Sequence, residues 1–86
     1  MNYPTKRVKL QKKYFRITMR TVENYMKTRI PSFELILDIT KGTDHCRTYI
    51  YIGDKRIVLD LRISDATMKS QSYYIHLITK TFLQSV

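Results

Sequence analysis

Apolar positions recur along this chain with two different periods, and the switches between them predict its elements. Val22, Met26 and Ile30 fall at i, i+4 and i+8, the stripe of a helix over residues 18–29, with Thr18 or Thr21 offering an N-cap oxygen. Pro31 biases Ile30 away from helical dihedrals, so that helix stops there. Upstream, residues 14–19 alternate through Phe15, Ile17 and Met19, a pattern open to an extra strand or an early helical turn. Residues 33–40 and 47–52 are rich in β-branched and aromatic side chains and read as strands, separated by Lys41-Gly42-Thr43-Asp44. Gly53-Asp54-Lys55 then makes a hairpin turn into residues 56–63, where Ile57, Leu59, Leu61 and Ile63 share one face and Arg56, Val58, Asp60 and Arg62 the other. After Ser64, an expected N-cap, Met68, Gln71/Ser72, Ile75, Ile78 and Phe82 recur at steps of three and four, the stripe of a helix on a sheet.

The expected fold is therefore α+β: a two-layer sandwich of order α-β-β-β-α, a three-stranded antiparallel sheet with two helices on one face. Residues 1–17 are expected to form a basic N-terminal arm or extra element, because residues 1–13 contain Pro4 and dense lysine without a sustained apolar period. Residues 18–86 form the domain. With 86 residues, 43% apolar and only two glycines and two prolines, the chain is one small folded unit and not a disordered or collagenous one. A single cysteine, Cys46, rules out an internal disulfide framework and a cysteine-rich zinc site, so an intracellular setting is expected. No apolar run is long enough for a membrane span or a signal-peptide core.

Charge adds a second asymmetry. Residues 1–30 carry nine Lys or Arg and one acid, Glu23, whereas the remaining residues carry seven bases and six acids. A net +8 in the first third points to a polyanionic partner reached mainly from that end. Two histidines, one cysteine and scattered acids supply neither an activated nucleophile nor a metal-ligand spacing, and no glycine-rich phosphate loop is present. No enzymatic activity, cofactor or metal is expected.

The residues at the joints carry a family likeness. Pro31-Ser32-Phe33-Glu34 enters the first strand, Gly42-Thr43-Asp44-His45 follows it, Tyr49 stands four residues beyond the histidine, and Ser64 opens the segment that leads to Met68, Lys69, Ser72 and Ile75. From about residue 21 to residue 82 this arrangement resembles the double-stranded-RNA-binding domain, whose corresponding loop reads Gly-Pro-x-His and whose last helix opens S-K-K-x-A-K. The resemblance implies that His45 enters a minor groove and that Arg47 and Lys69 meet phosphates. Glu23 stands in, with a shift of register, for an acidic residue of the family's first helix. Lys9, Lys12, Lys13, Arg16 and Arg20 are the bases that the arm or first helix brings close.

Departures are as plain as matches. Asp65 and Ala66 occupy the places of the family's lysine pair, Thr43 replaces the loop proline, Asp60 and Arg62 replace small residues on the third strand, and Tyr73 replaces an alanine at the helix-to-sheet contact. The expected function is a non-catalytic module that binds double-stranded RNA by shape and phosphate contacts, possible as an accessory domain of a larger RNA-processing protein. The alternative is a degenerate module for protein interaction or dimerisation through the edge of the third strand; a small basic viral or ribosomal protein of another α+β fold is the third reading. Tyr49 and Tyr51 are expected in the core and not as stacking platforms for bases, and the open face of the sheet is expected to be apolar.

Overall fold

The computed structural model describes the backbone of residues 5–84 and the side chains of residues 8–84. Helix α1 (Thr5–Arg29) leads into strands β1 (Phe33–Ile39), β2 (His45–Ile52) and β3 (Lys55–Arg62), a 3-10 turn over Ile63–Thr67, and helix α2 (Gln71–Gln84). The strands form an antiparallel meander in the order β1-β2-β3. The fold is thus α-β-β-β-α with one three-stranded sheet.

Most of the segment expected to be an arm is helix. Phe15, Met19, Val22 and Met26 are all buried, at steps of four, three and four. That apolar stripe runs two turns further back than Val22 and Met26 alone suggest, and it resolves residues 14–19 as helix. Once tertiary packing holds a helix, extending it costs little, since each added residue gains a hydrogen bond. Leu10, Gln11, Lys12 and Lys13 are good helix formers, so α1 propagates back to Thr5. Residues 1–4 of the expected arm lie outside the described residues. At the other end the Ile30 N–H still bonds to the Met26 carbonyl (2.8 Å), Pro31 follows, and Lys27 and Arg29 in the last turn complement the helix dipole.

The strand pairing sorts side chains onto two faces. Phe33 lies opposite Ile52, Leu35 opposite Ile50, and Ile39 opposite Cys46; Cys46 in turn faces Leu61, and Ile50 faces Ile57. These residues form the inner face and join the α1 stripe with Ile63, Ala66, Tyr74 and Ile78 in one core. Tyr49 and Tyr51 alternate with them and so stand on the open face, half-buried, contrary to the expectation that they belong to the core. The β2–β3 hairpin closes through Gly53 at φ +60°, the glycine-first arrangement of a tight two-residue loop.

Helix α2 begins later than the Ser64 signal suggests. The Ser64 hydroxyl hydrogen-bonds to the Asp44 carboxylate, and the Ser64 N–H bonds to the same carboxylate at 2.9 Å. The Ile63 N–H meets the Asp44 carbonyl at 2.8 Å. Those bonds, with Ile63 and Ala66 sunk in the core, hold residues 63–67 as a tight turn bound to the β1–β2 loop. The cap of α2 is Ser70, whose Oγ accepts from the Tyr73 N–H at 3.3 Å. Met68 therefore falls outside the helix stripe and is exposed. Tyr74, not Tyr73, makes the deep contact; Tyr73 is exposed and meets the Tyr74 ring edge-on, with centroids 5.3 Å apart.

Candidate nucleic-acid interface

A helix turns about 100° per residue, which assigns the bases of α1 to faces. Lys9, Lys13, Arg16 and Arg20, at steps of four, three and four, lie on one side, roughly 100–160° around the axis from Phe15. All four are exposed. Lys12 turns toward the core side and is half-buried. Among the described residues Lys9, Lys13 and Arg16 have no carboxylate partner. Arg20 does: its Nη1 donates to Glu23 Oε1 at 2.6 Å. The row spans about 17 Å along the axis at 1.5 Å per residue.

Glu23 is placed for a different task from the one the resemblance implies. It is 4% exposed, and besides Arg20 it has Lys27 Nζ at 3.8 Å. Its Oε2 accepts the N–H of Leu35 at 2.9 Å. The carboxylate ties α1 to β1, and no part of it is presented to a nucleic-acid strand.

His45, Arg47 and Lys69 lie elsewhere. His45 is the first residue of β2, not a loop tip; the loop before it is folded on itself, with Gly42 at φ +83° and the Thr43 hydroxyl donating to the Thr40 carbonyl at 3.1 Å. The imidazole Nδ1 of His45 is 3.4 Å from Asp60 Oδ1 on β3. Arg47 stands on the open face between Asp38 and Asp60 in register. Three cross-strand rows make up most of that face: Glu34-Tyr51-Arg56, Ile36-Tyr49-Val58 and Asp38-Arg47-Asp60. Acids and arginines thus alternate around one apolar row, so the face is neither uniformly apolar, as expected from sequence, nor uniformly basic. Lys69 sits between the 3-10 turn and α2, its Nζ 4.7 Å from the Tyr73 ring centroid.

The candidate set therefore divides among three surfaces, and only the α1 bases come together. Asp65 and Ala66 are not on α2 at all, and Ala66 is 1% exposed in the core. A lysine pair at these positions could not reach phosphates from a helix start. Sequence reasoning missed Asp44, the residue that locks the loop to the 3-10 turn, because its signal is a contact across twenty residues. The angular sorting of the α1 bases was within reach: it follows once Phe15 and Met19 join the Val22 and Met26 stripe.

Two titratable groups are strongly placed by burial. Burial raises the Cys46 thiol above its ordinary value, against weaker opposing help from Thr48. Burial, then the nearby Asp65 charge, pushes the Tyr74 phenol up to about 12. Among the described residues no group of three or more His, Cys, Asp or Glu is arranged to hold a metal ion, and no helix is long and apolar enough to cross a membrane. Compared with models of protein families, with curated proteins and with solved structures, the chain matches none.

Proposed function

We propose that this chain is a non-catalytic module that binds double-stranded RNA through the basic face of α1, as a divergent relative of the double-stranded-RNA-binding domain. The observation that carries the reading is the row Lys9, Lys13, Arg16 and Arg20 on one exposed side of a continuous helix, beside a body of nearly balanced charge. A straight row of cations fits a phosphate backbone, and the binding it gives is salt-sensitive and indifferent to base sequence. Preference for RNA rests on the α-β-β-β-α order and its likeness to a fold that measures A-form groove spacing and 2′-hydroxyls. In this reading His45 and Arg47 act at most at the margin, since Asp60 and Asp38 stand beside them.

The test is a titration of an RNA duplex of about 16 base pairs, the length such a domain spans, and of its DNA counterpart, each at two salt concentrations. The RNA should bind more tightly than the DNA. Replacing Lys9, Lys13 and Arg16 with Gln should weaken RNA binding at least tenfold and flatten the log K against log salt slope by about 2. Equal affinity for both duplexes, or no effect of the triple replacement, would end this reading.

One observation favours protein interaction as a second reading: the row Ile36-Tyr49-Val58 across the open sheet, with Ile36 and Val58 nearly half exposed. An apolar strip rimmed by charges of both signs resembles a protein-binding surface more than a phosphate-binding one. Loss of self-association or of partner binding in Val58→Ser, with RNA affinity unchanged, is the result this reading expects.

A further inference from the structure

We propose that the outer edge of β1 receives an extended, acidic segment of a partner protein as a fourth strand. The inference shares Arg16 and Arg20 with the nucleic-acid reading but does not rest on it, and it starts from the backbone. Residues of an edge strand turn their N–H and C=O groups alternately toward the neighbour and away from it. The Phe33 N–H bonds to the Ile30 carbonyl at 2.9 Å and the Leu35 N–H to Glu23 at 2.9 Å, so the odd-numbered residues of β1 face away from β2. Leu37 and Ile39 continue that set. Among the described residues nothing pairs with their outward groups, which leaves the second half of the strand open as a template.

What lies beside this edge sets the chemistry of the occupant. A cleft of about 530 Å³ runs between α1 and β1, with Arg16, Ile17 and Arg20 on one wall and Leu35, Ile36 and Leu37 on the other. Ile17 and Ile36 are each about half exposed. An added strand pairing with Leu37 and Ile39 points alternate side chains toward the cleft, where apolar groups meet Ile17 and carboxylates meet the two guanidinium groups. Arg20 keeps donors for this purpose, since Glu23 takes only part of its fork and its side chain is 70% exposed.

The other edge of the sheet differs. β3 carries Lys55, Arg56, Asp60 and Arg62, all exposed, the kind of charge that blunts an edge against pairing. β1 has neither lysine nor proline, and its register with β2 runs without a bulge. A second copy of this chain is a poor occupant: paired edge to edge, its β1 turns Leu35, Leu37 and Ile39 to the cleft side and offers no carboxylate to Arg16 and Arg20, its Glu34 and Asp38 fall on the open face with those of the first copy, and its α1 brings a second strongly basic helix alongside the first.

The experiment uses the full chain and a fluorescent octapeptide Thr-Val-Thr-Glu-Thr-Val-Thr-Glu, which carries both Val and Glu on one face. Two further peptides carry backbone N-methyl groups on one or the other alternate set of amides, leaving side chains and charge unchanged. One methylated form should bind like the parent and the other at least tenfold more weakly. In 15N spectra the parent should slow hydrogen exchange at the Leu37 and Ile39 amides. Ile17→Ser should weaken the peptide at least tenfold with its salt dependence preserved, and Val58→Ser should leave it alone. Equal binding of all three peptides would reduce the interaction to charge attraction and overturn the proposal. So would sedimentation showing a dimer that Ile36→Ser dissolves, which would assign the edge to a second copy.

Discussion

At the scale of single residues, one buried polar side-chain atom among the described residues has nothing to bond. Tyr74 is 1% exposed, and its hydroxyl finds no hydrogen-bond partner among the described residues. A buried hydroxyl left unsatisfied costs about 1–3 kcal/mol, which offsets part of what the ring contributes by packing. Tyr74→Phe keeps the ring and removes the orphan, so the stability at neutral pH should be equal or higher by up to about 1 kcal/mol in urea melts. The same residue sets an alkaline limit. Burial holds its folded-state pKa at about 12, above the ordinary tyrosine value of 10.0. Above pH 10 the unfolded chain gives up this proton while the folded chain keeps it, and stability falls as pH rises from about 10 to 12. Melts at pH 8 and pH 11 should show that loss shrinking in Tyr74→Phe; an unaltered pH difference would mean that other groups dominate it.

At the scale of elements, two carboxylates add hydrogen-bonded ties to the shared core. Glu23 bonds α1 to the edge of β1, and Asp44 bonds the β1–β2 loop to the 3-10 turn. Glu23→Ala leaves the Leu35 N–H without its acceptor in a buried place, and should cost about 2–3 kcal/mol by chemical denaturation, with faster exchange at that amide. Asp44→Ala removes an acceptor from Ser64 at a half-buried site and should cost about 1–2 kcal/mol, loosening residues 63–67 before it melts the sheet. Exchange rates at the Ser64 amide measure this directly. The strands, the meander and the helix over residues 75–82 were legible in sequence because each carries its period in adjacent residues. The origin of α1 was obscured by lysines, which are helix formers without an apolar signature. The late start of α2 could not be read from a serine, since Ser64 looks like a cap until its partner Asp44, twenty residues away, is known. The candidate site was legible as composition, a surplus of bases near the N-terminus; its geometry becomes legible only once residues 9–20 are taken as one helix with the Val22 and Met26 stripe, because spacing then fixes each base's angle.

At the scale of the molecule, α1 outruns the rest. Twenty-five helical residues are about 37 Å long, against about 26 Å for an eight-residue strand, and the described residues measure 49 × 19 × 18 Å. The first buried apolar side chain of α1 is Phe15, so deleting residues 1–13 should leave the cooperative melt in place and lower it by no more than about 1–2 kcal/mol, while removing Lys9 and Lys13 from the basic row. RNA titrations of the shortened chain should show weaker binding and a flatter salt slope; an unchanged slope would place the phosphate contacts elsewhere. The elongated shape has a further consequence for kinetics. With the surplus positive charge gathered in the first third of the sequence and the remainder close to neutral, the molecule is an electric dipole with a long lever arm. The field of a polyanion exerts a torque on it during approach and turns α1 forward before contact. Stopped-flow measurements should therefore find salt acting chiefly on the encounter rate, with dissociation much less affected, and the deletion should abolish most of that rate advantage.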